Sequence, residues 1–164
     1  MRLAIQWSEF DELCDALAEQ LRGAQIDLII GIARGGLPLS VALSHRLRCR
    51  ALGTLLASKT ASERAFDLCA KPFHVSELQA PAVEPETILL VDDVVAIGDL
   101  FAQADERVTQ RFGTRARLLH AALFADPDLI ARGQFATLIE TLSYARAIDN
   151  QRVWIDFPWE RPEA

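Results

Sequence analysis

The chain has 164 residues, 51% of them hydrophobic and 24% charged, the mix of an ordinary globular domain and not of a disordered or fibrous chain. One core is expected at this length, burying roughly 68–70% of the unfolded surface with no need of a disulfide or metal staple. Seventeen Lys and Arg against 23 Asp and Glu leave a net charge of −6, which argues against nucleic acid as a partner, since phosphates need a basic face. Small molecules are the expected ligands. Cys14, Cys49 and Cys69 are odd in number and far apart, with no C-x-x-C, as expected of reduced thiols in a cytoplasmic protein. The N-terminal stretch reaches Asp11 and Glu12 before any long apolar run, which speaks against a secretory signal. No run approaches the ~18 apolar residues of a membrane span, so no membrane partner is expected.

Leu3, Ile5 and Trp7 alternate with polar neighbours, the pattern of a short half-buried strand. Ser8 is then placed to cap a helix carrying Phe10, Leu13, Leu17 and Leu21 on one face, which Gly23 stops. Asp27 to Ile32 reads as a buried strand, Ala33-Arg34-Gly35-Gly36 as a loop, and residues 37 to 47 as a helix with Pro38 in its first turn. Residues 51 to 57 give another strand. The least patterned stretch, 58 to 86, is read as a hood. Thr87 to Val91 is an apolar, β-branched strand that Asp92-Asp93 ends abruptly. Beyond Gly98, Leu100, Phe101, Ala104, Val108 and Phe112 form a helix face closed by Gly113. A strand over 115 to 124, a turn at Asp126-Pro127-Asp128, an ambiguous segment over 135 to 144 and a tail over about 144 to 164 complete the chain. Alternating strands and helices predict an α/β fold, one domain over 1 to 164, with a parallel sheet covered on both faces.

In such sheets ligands bind beyond the carboxyl ends of the strands, where two loops draw notice. The glycines at 35 and 36 let the backbone approach a ligand beside a guanidinium suited to phosphate oxygens; a tight turn with a solvated Arg34 is the plain alternative. Asp92 and Asp93 leave an apolar strand side by side, which is costly unless a cation such as Mg²⁺ or a sugar diol meets them. One Asp capping a turn while the other faces water is the ordinary alternative. The following loop enters a helix whose N–H groups and dipole favour an anion. Carboxylates for a diol and N–H groups for a phosphate, one loop apart, match the reach of a ribose 5-phosphate.

Ile88-Leu89-Leu90-Val91-Asp92-Asp93-Val94-Val95-Ala96-Ile97-Gly98-Asp99-Leu100 resembles the phosphoribosyl pyrophosphate (PRPP) loop of the type I phosphoribosyltransferases, a hydrophobic strand followed by D-D-V-x-D-T-G-x-T. Ile29-Ile30-Gly31-Ile32-Ala33-Arg34-Gly35-Gly36-Leu37 resembles the pyrophosphate loop of that family's xanthine/hypoxanthine-guanine branch, and the ending, Tyr144-Ala145 through Trp154 to Glu160, resembles that branch's tail. The resemblance implies the Rossmann-like fold of the family with a small hood. It implies that Asp92 and Asp93 hold the ribose hydroxyls with Mg²⁺ bridging, that residues Ala96, Ile97, Gly98, Asp99 and Leu100 wrap the 5′-phosphate, and that Ala33, Arg34 and Gly35 hold pyrophosphate. Trp154 and the main chain of Ile155 receive the base. The implied reaction moves phosphoribosyl from PRPP to a purine-type base with release of pyrophosphate, in a protein expected to form a homo-oligomer.

Three departures from the family pattern bear on this. Ala96, Ile97 and Leu100 stand where D-T-G-x-T supplies a carboxylate and two hydroxyls. Losing two hydrogen bonds to a charged group, at about 1.5–3 kcal/mol each, weakens phosphate binding by about two orders of magnitude or more. Asp99 adds negative charge at that helix end. Asp126 before Pro127 aligns with the lysine that reads a 6-oxo group in guanine-type enzymes, and a carboxylate there favours an amino group; a simple turn is the alternative. A rival reading follows: a catalytically silent, nucleotide-sensing or partner-binding module that keeps the fold. His45, His74 and His120 are scattered and read as structural, Trp7 and Trp159 as packing, Arg46, Arg48 and Arg50 as a solvated patch, and Cys69 has no adjacent base that would make it a nucleophile.

Overall fold

The computed structural model describes residues 1–60, 69–149 and 152–160, and side chains outside 58–74. Strands β2 (Leu28–Ala33), β3 (Leu52–Thr60), β4 (Cys69–Gln79), β5 (Thr87–Val95), β6 (Arg117–Ala125) and β7 (Leu142–Ala147) form one sheet in the order β4-β3-β2-β5-β6-β7. All its neighbours pair in parallel except β3 with β4. The alternation that predicts a parallel sheet is therefore realised, with one antiparallel strand at its edge.

Both faces of the sheet are covered because the strand residues alternate between two cores. Ile29, Leu89, Val91 and Leu119 face helices α1 (Trp7–Leu21) and α2 (Gly36–Arg46), packing on Leu13, Leu17, Leu39 and Leu43. Leu28, Ile30, Ile88 and Leu90 face α3 (Asp99–Phe112), packing with Phe101, Ala104 and Val108. Arg46 joins α2 to α1 through Asp11 and through Asp15 at 2.7 Å, so it is a tie between helices and not part of a solvated patch. Among the described residues no helix is long and apolar enough to cross a membrane.

Several local expectations shift. The first strand, β1, covers only Arg2–Ala4; Trp7 starts α1, and Gln6 occupies the cap position with no capping bond from its side chain to the helix, so Ser8 lies inside the first turn. The stretch from 58 to 86 contains β4, whose register against β3 slips between Leu55 and Ala57 and between Ser58 and Thr60. Such slips erase the period-2 pattern, and Pro72 is tolerated because β4 is an edge strand. The rest of the expected hood, 61 to 68, and the side chains of Cys69 and His74 lie outside the described residues. Asp126-Pro127-Asp128 opens a short helix, α4 (Pro127–Arg132), and the ambiguous segment is a 3-10 turn, Ala136–Glu140, followed by β7. Finally, β8 (Trp154–Asp156) pairs in parallel with β1 in a separate two-stranded sheet, where Arg2 clamps Asp156 at 2.9 and 2.6 Å.

Candidate active site

β2 and β5 are adjacent and parallel and pair as far as Gly31 opposite Val91. Asp92 and Asp93 do not end β5 as expected: the strand runs on to Val95, held by β6 alone, so the acidic pair sits inside it beside the loop that follows Ala33. The peptide joining Ala33 to Arg34 is cis. The two glycines that follow serve close approach. A Cβ on Gly36 would collide with the Val91 carbonyl oxygen and come 3.0 Å from the Asp92 Cα, and one on Gly35 would collide with the Asp93 carboxyl group. Arg34 is exposed at the mouth, and its carbonyl accepts the Leu37 N–H at 3.1 Å as α2 begins.

Asp92 is buried and its Oδ1 accepts the Asp93 N–H at 2.9 Å; Asp93 is half-buried and its Oδ1 accepts the Val94 N–H at 2.8 Å. The Asp93 carboxyl group is pushed up to about 6 from its ordinary value, first by desolvation and then by the nearby negative charge of Glu160, against the lowering effect of its bonds to Asp92 and Val94. Glu160 is the residue that sequence reasoning missed. The Phe157 N–H donates to its Oε2 at 3.2 Å, while the stacked rings of Phe157 and Trp159, 4.5 Å apart, anchor the tail on the core. An exposed glutamate near a chain end carries no pattern of its own, so only the folded tail reveals its approach to Asp93.

The loop after β5 turns at Gly98, whose φ of +86° favours glycine, and α3 begins at Asp99. Ala96 is half-buried and Ile97 is 38% exposed. Leu100 packs against the core beneath the loop. The loop thus turns tightly into α3, and Ala96, Ile97 and Leu100 lend it no polar side chain.

At the next strand tip Asp126 is buried, and its N–H reaches the Val95 carbonyl at 2.9 Å. Its Oδ1 accepts the Leu129 N–H at 2.9 Å, capping α4. The same residue sits on the wall of a cleft of about 610 Å³ beyond the ends of β6 and β7, lined also by Leu129, Arg132, Ala147, Ile148 and Asp149. Trp154 is not in that lining; it is half-buried in β8. Trp154 donates its N–H to Met1, and the Asp156 carbonyl accepts from Ile5. Main-chain groups of successive strand residues point to opposite edges, so Ile155 turns its N–H and carbonyl away from β1 while its side chain is buried.

Among the described residues no group of three or more His, Cys, Asp or Glu side chains forms a metal cage. Asp92 and Asp93 nevertheless offer hard oxygen donors, with Glu160 adding negative charge near Asp93. That fits Mg²⁺, which is held by one or two carboxylates together with substrate phosphates and water. Burial pushes the Cys14 thiol up to about 12 and raises that of Cys49, so neither is a nucleophile.

The family model of the phosphoribosyl transferase domain matches residues 6–99, a span that includes both loops and ends at the start of α3. The chain belongs to the phosphoribosyl transferase family. It is 33% identical over 116 residues, 68% of its length, to the adenine phosphoribosyltransferase of Acidobacterium capsulatum, and that match covers 64% of the relative. The adenine phosphoribosyltransferase of Thermobifida fusca is 34% identical over 104 residues, 58% of its own length; the chain thus spans less than two thirds of these curated relatives. In fold, it matches the purine phosphoribosyltransferase of Pyrococcus horikoshii with a TM-score of 0.72 at 24% identity, covering 99% of this chain and 97% of that one. The Helicobacter pylori xanthine-guanine-hypoxanthine phosphoribosyltransferase gives 0.70 at 19% identity, covering 98% and 94%. These two likenesses establish the type I phosphoribosyltransferase architecture.

Proposed function

We propose that the chain transfers the phosphoribosyl group of PRPP to a purine carrying a 6-amino group, releasing pyrophosphate. The observation that carries this reading is the acidic pair Asp92-Asp93 in the last half of β5, set against Gly35 of the neighbouring loop. Ionised, the two carboxylates accept hydrogen bonds from the ribose 2′- and 3′-hydroxyls. Arg34 and the Gly35 backbone hold the pyrophosphate, and the backbone from Ala96 to Leu100 wraps the 5′-phosphate. Trp154 stacks on the base, which the outward-facing main chain of Ile155 also contacts. Asp92 and Asp93 would hold Mg²⁺, which when bound would supply neutralisation of pyrophosphate charge.

A base nitrogen forms the bond to C1′ as the bond from C1′ to the pyrophosphate oxygen breaks; the electron pair leaves with pyrophosphate and the base gives up its proton to solvent. This chemistry needs positioning and charge neutralisation and no protein nucleophile. Preference for an amino group rests on the charge of Asp126, because an oxo group would face an acceptor with an acceptor. The adenine phosphoribosyltransferase names of the relatives point the same way.

The test is pyrophosphate release from PRPP and Mg²⁺ with adenine, hypoxanthine, guanine and xanthine. Turnover with adenine ahead of the 6-oxo purines supports the reading. Binding of a nucleoside monophosphate with no turnover of any base at millimolar PRPP overturns it in favour of a silent, nucleotide-sensing module, the reading that Ala96, Ile97 and Leu100 favour.

A further inference from the structure

His120 was read from sequence as structural, and the fold gives it a more particular place. It lies on β6, 3% exposed, with Nε2 2.9 Å from Asp105 Oδ1 and Nδ1 2.8 Å from Thr141 Oγ1. Its ring meets that of Phe101 edge-on at 4.9 Å. A carboxylate only accepts, so the hydrogen between His120 and Asp105 sits on Nε2. On the other side Nδ1 meets Thr141 Oγ1, whose hydroxyl also donates to the Leu138 carbonyl at 3.2 Å.

These contacts hold two walls. Asp105 and Phe101 belong to α3, the helix that Gly98 starts. Thr141 ends the 3-10 turn, and its N–H donates to the Leu138 carbonyl at 3.0 Å. Leu138 in turn reaches the phosphate loop, since a Cβ on Gly98 would lie 2.7 Å from Leu138 Cδ2 and 3.3 Å from Phe135 Cβ. Between the walls is a cavity of about 340 Å³, lined by Gly98, Asp105, His120, Leu138 and Thr141 among others. Packing alone leaves that gap open, so the hydrogen bonds of His120 tie the walls across it.

We propose that His120, through Thr141 and Asp105, is a positioning residue that fixes the direction of the backbone N–H groups over Ala96–Leu100 for the 5′-phosphate. The proposal rests on reading that loop as a phosphate cradle. It has force in this chain because Ile97 and Leu100 supply no hydroxyl, and N–H groups alone bind an anion well only when preorganised.

The experiment compares the native chain with His120→Phe, Thr141→Val and the conservative Thr141→Ser. Amide exchange at Ala102, whose N–H donates to the Gly98 carbonyl at 3.0 Å, is expected to quicken about tenfold in the first two variants and to return to the native rate in Thr141→Ser, with β2 unchanged. Ribose 5-phosphate is expected to bind about fivefold more weakly to Thr141→Val while inorganic pyrophosphate binds as before. Native exchange rates in both variants, or equal weakening of the two ligands, overturns the proposal. If the native chain binds no ribose 5-phosphate, the cradle reading and the phosphate half of the proposal fall together. The exchange rates still decide whether His120 fixes the loop, and Thr141→Val decides it alone if His120→Phe fails to fold.

Discussion

The carboxyl group of Asp93 lies against the Cα of Gly35, so that a Cβ at position 35 would come 2.7 Å from Oδ1 and closer still to the other oxygen. A loop from β2 and an acid from β5 are thereby locked in one arrangement, and the absence of a side chain at 35 is what admits the acid.

Replacing Gly35 with alanine therefore moves Asp93 before it disturbs the fold. Calorimetry should show PRPP binding weakened about tenfold or more, the loss of one charge-assisted contact, with the unfolding midpoint little changed. Gly36→Ala meets backbone instead, at the Val91 oxygen and the Asp92 Cα. It should cost about 1–3 kcal/mol of stability, as overpacking does, read from denaturant unfolding.

The raised Asp93 value sets a pH dependence. Between the ordinary carboxylate value of 3.8 and about 6, the folded state binds more protons at this site than the unfolded one. The stability contributed by Asp93 is therefore fully present below that window and lost as pH rises through about 6. Ligand binding runs the other way, because the ribose hydroxyls and a cation need the ionised acid. PRPP affinity should rise with a midpoint near 6, and Glu160→Gln should move that midpoint down by removing the neighbouring charge. A midpoint unmoved by Glu160→Gln would contradict the placement of the tail.

Restoring hydroxyls should strengthen the phosphate cradle. Ile97 is 38% exposed, so Ile97→Thr should tighten PRPP by about tenfold at little cost to folding, one hydrogen bond to a charged group. Leu100→Thr removes a side chain that packs on the core and should lower stability by about 1–3 kcal/mol, measurable by chemical unfolding, even where it helps the ligand.

Substitution separates the capping of α4 by Asp126 from the contact with the base proposed for it. Asn retains a capping oxygen for the Leu129 N–H, whereas Ala removes it and should destabilise by about 1 kcal/mol. Asp126→Asn should fold like the native chain yet lose about tenfold of its preference for adenine over hypoxanthine in kcat/KM.

Much of this was legible in the sequence because it depends on local pattern. The apolar runs ending at Ala33 and Val91 mark β2 and most of β5, which runs on to Val95, and the residues after those runs make up the candidate site. What escaped depends on tertiary contact. The slips between β3 and β4 hide a strand inside the expected hood, and Asp126 looks like a turn residue until Pro127 is seen opening α4. Glu160 near Asp93 and His120 between Asp105 and Thr141 join residues that are distant in the chain, so no spacing announces them.

The most direct measurement is a calorimetric titration of PRPP with Mg²⁺ into the native chain and into Asp92→Asn/Asp93→Asn. Binding by the native chain that falls at least about a hundredfold in the double variant, while that variant keeps its unfolding midpoint, is the predicted result. Equal binding by both proteins, or no heat from the native chain at millimolar PRPP, would contradict the assignment of the acidic pair.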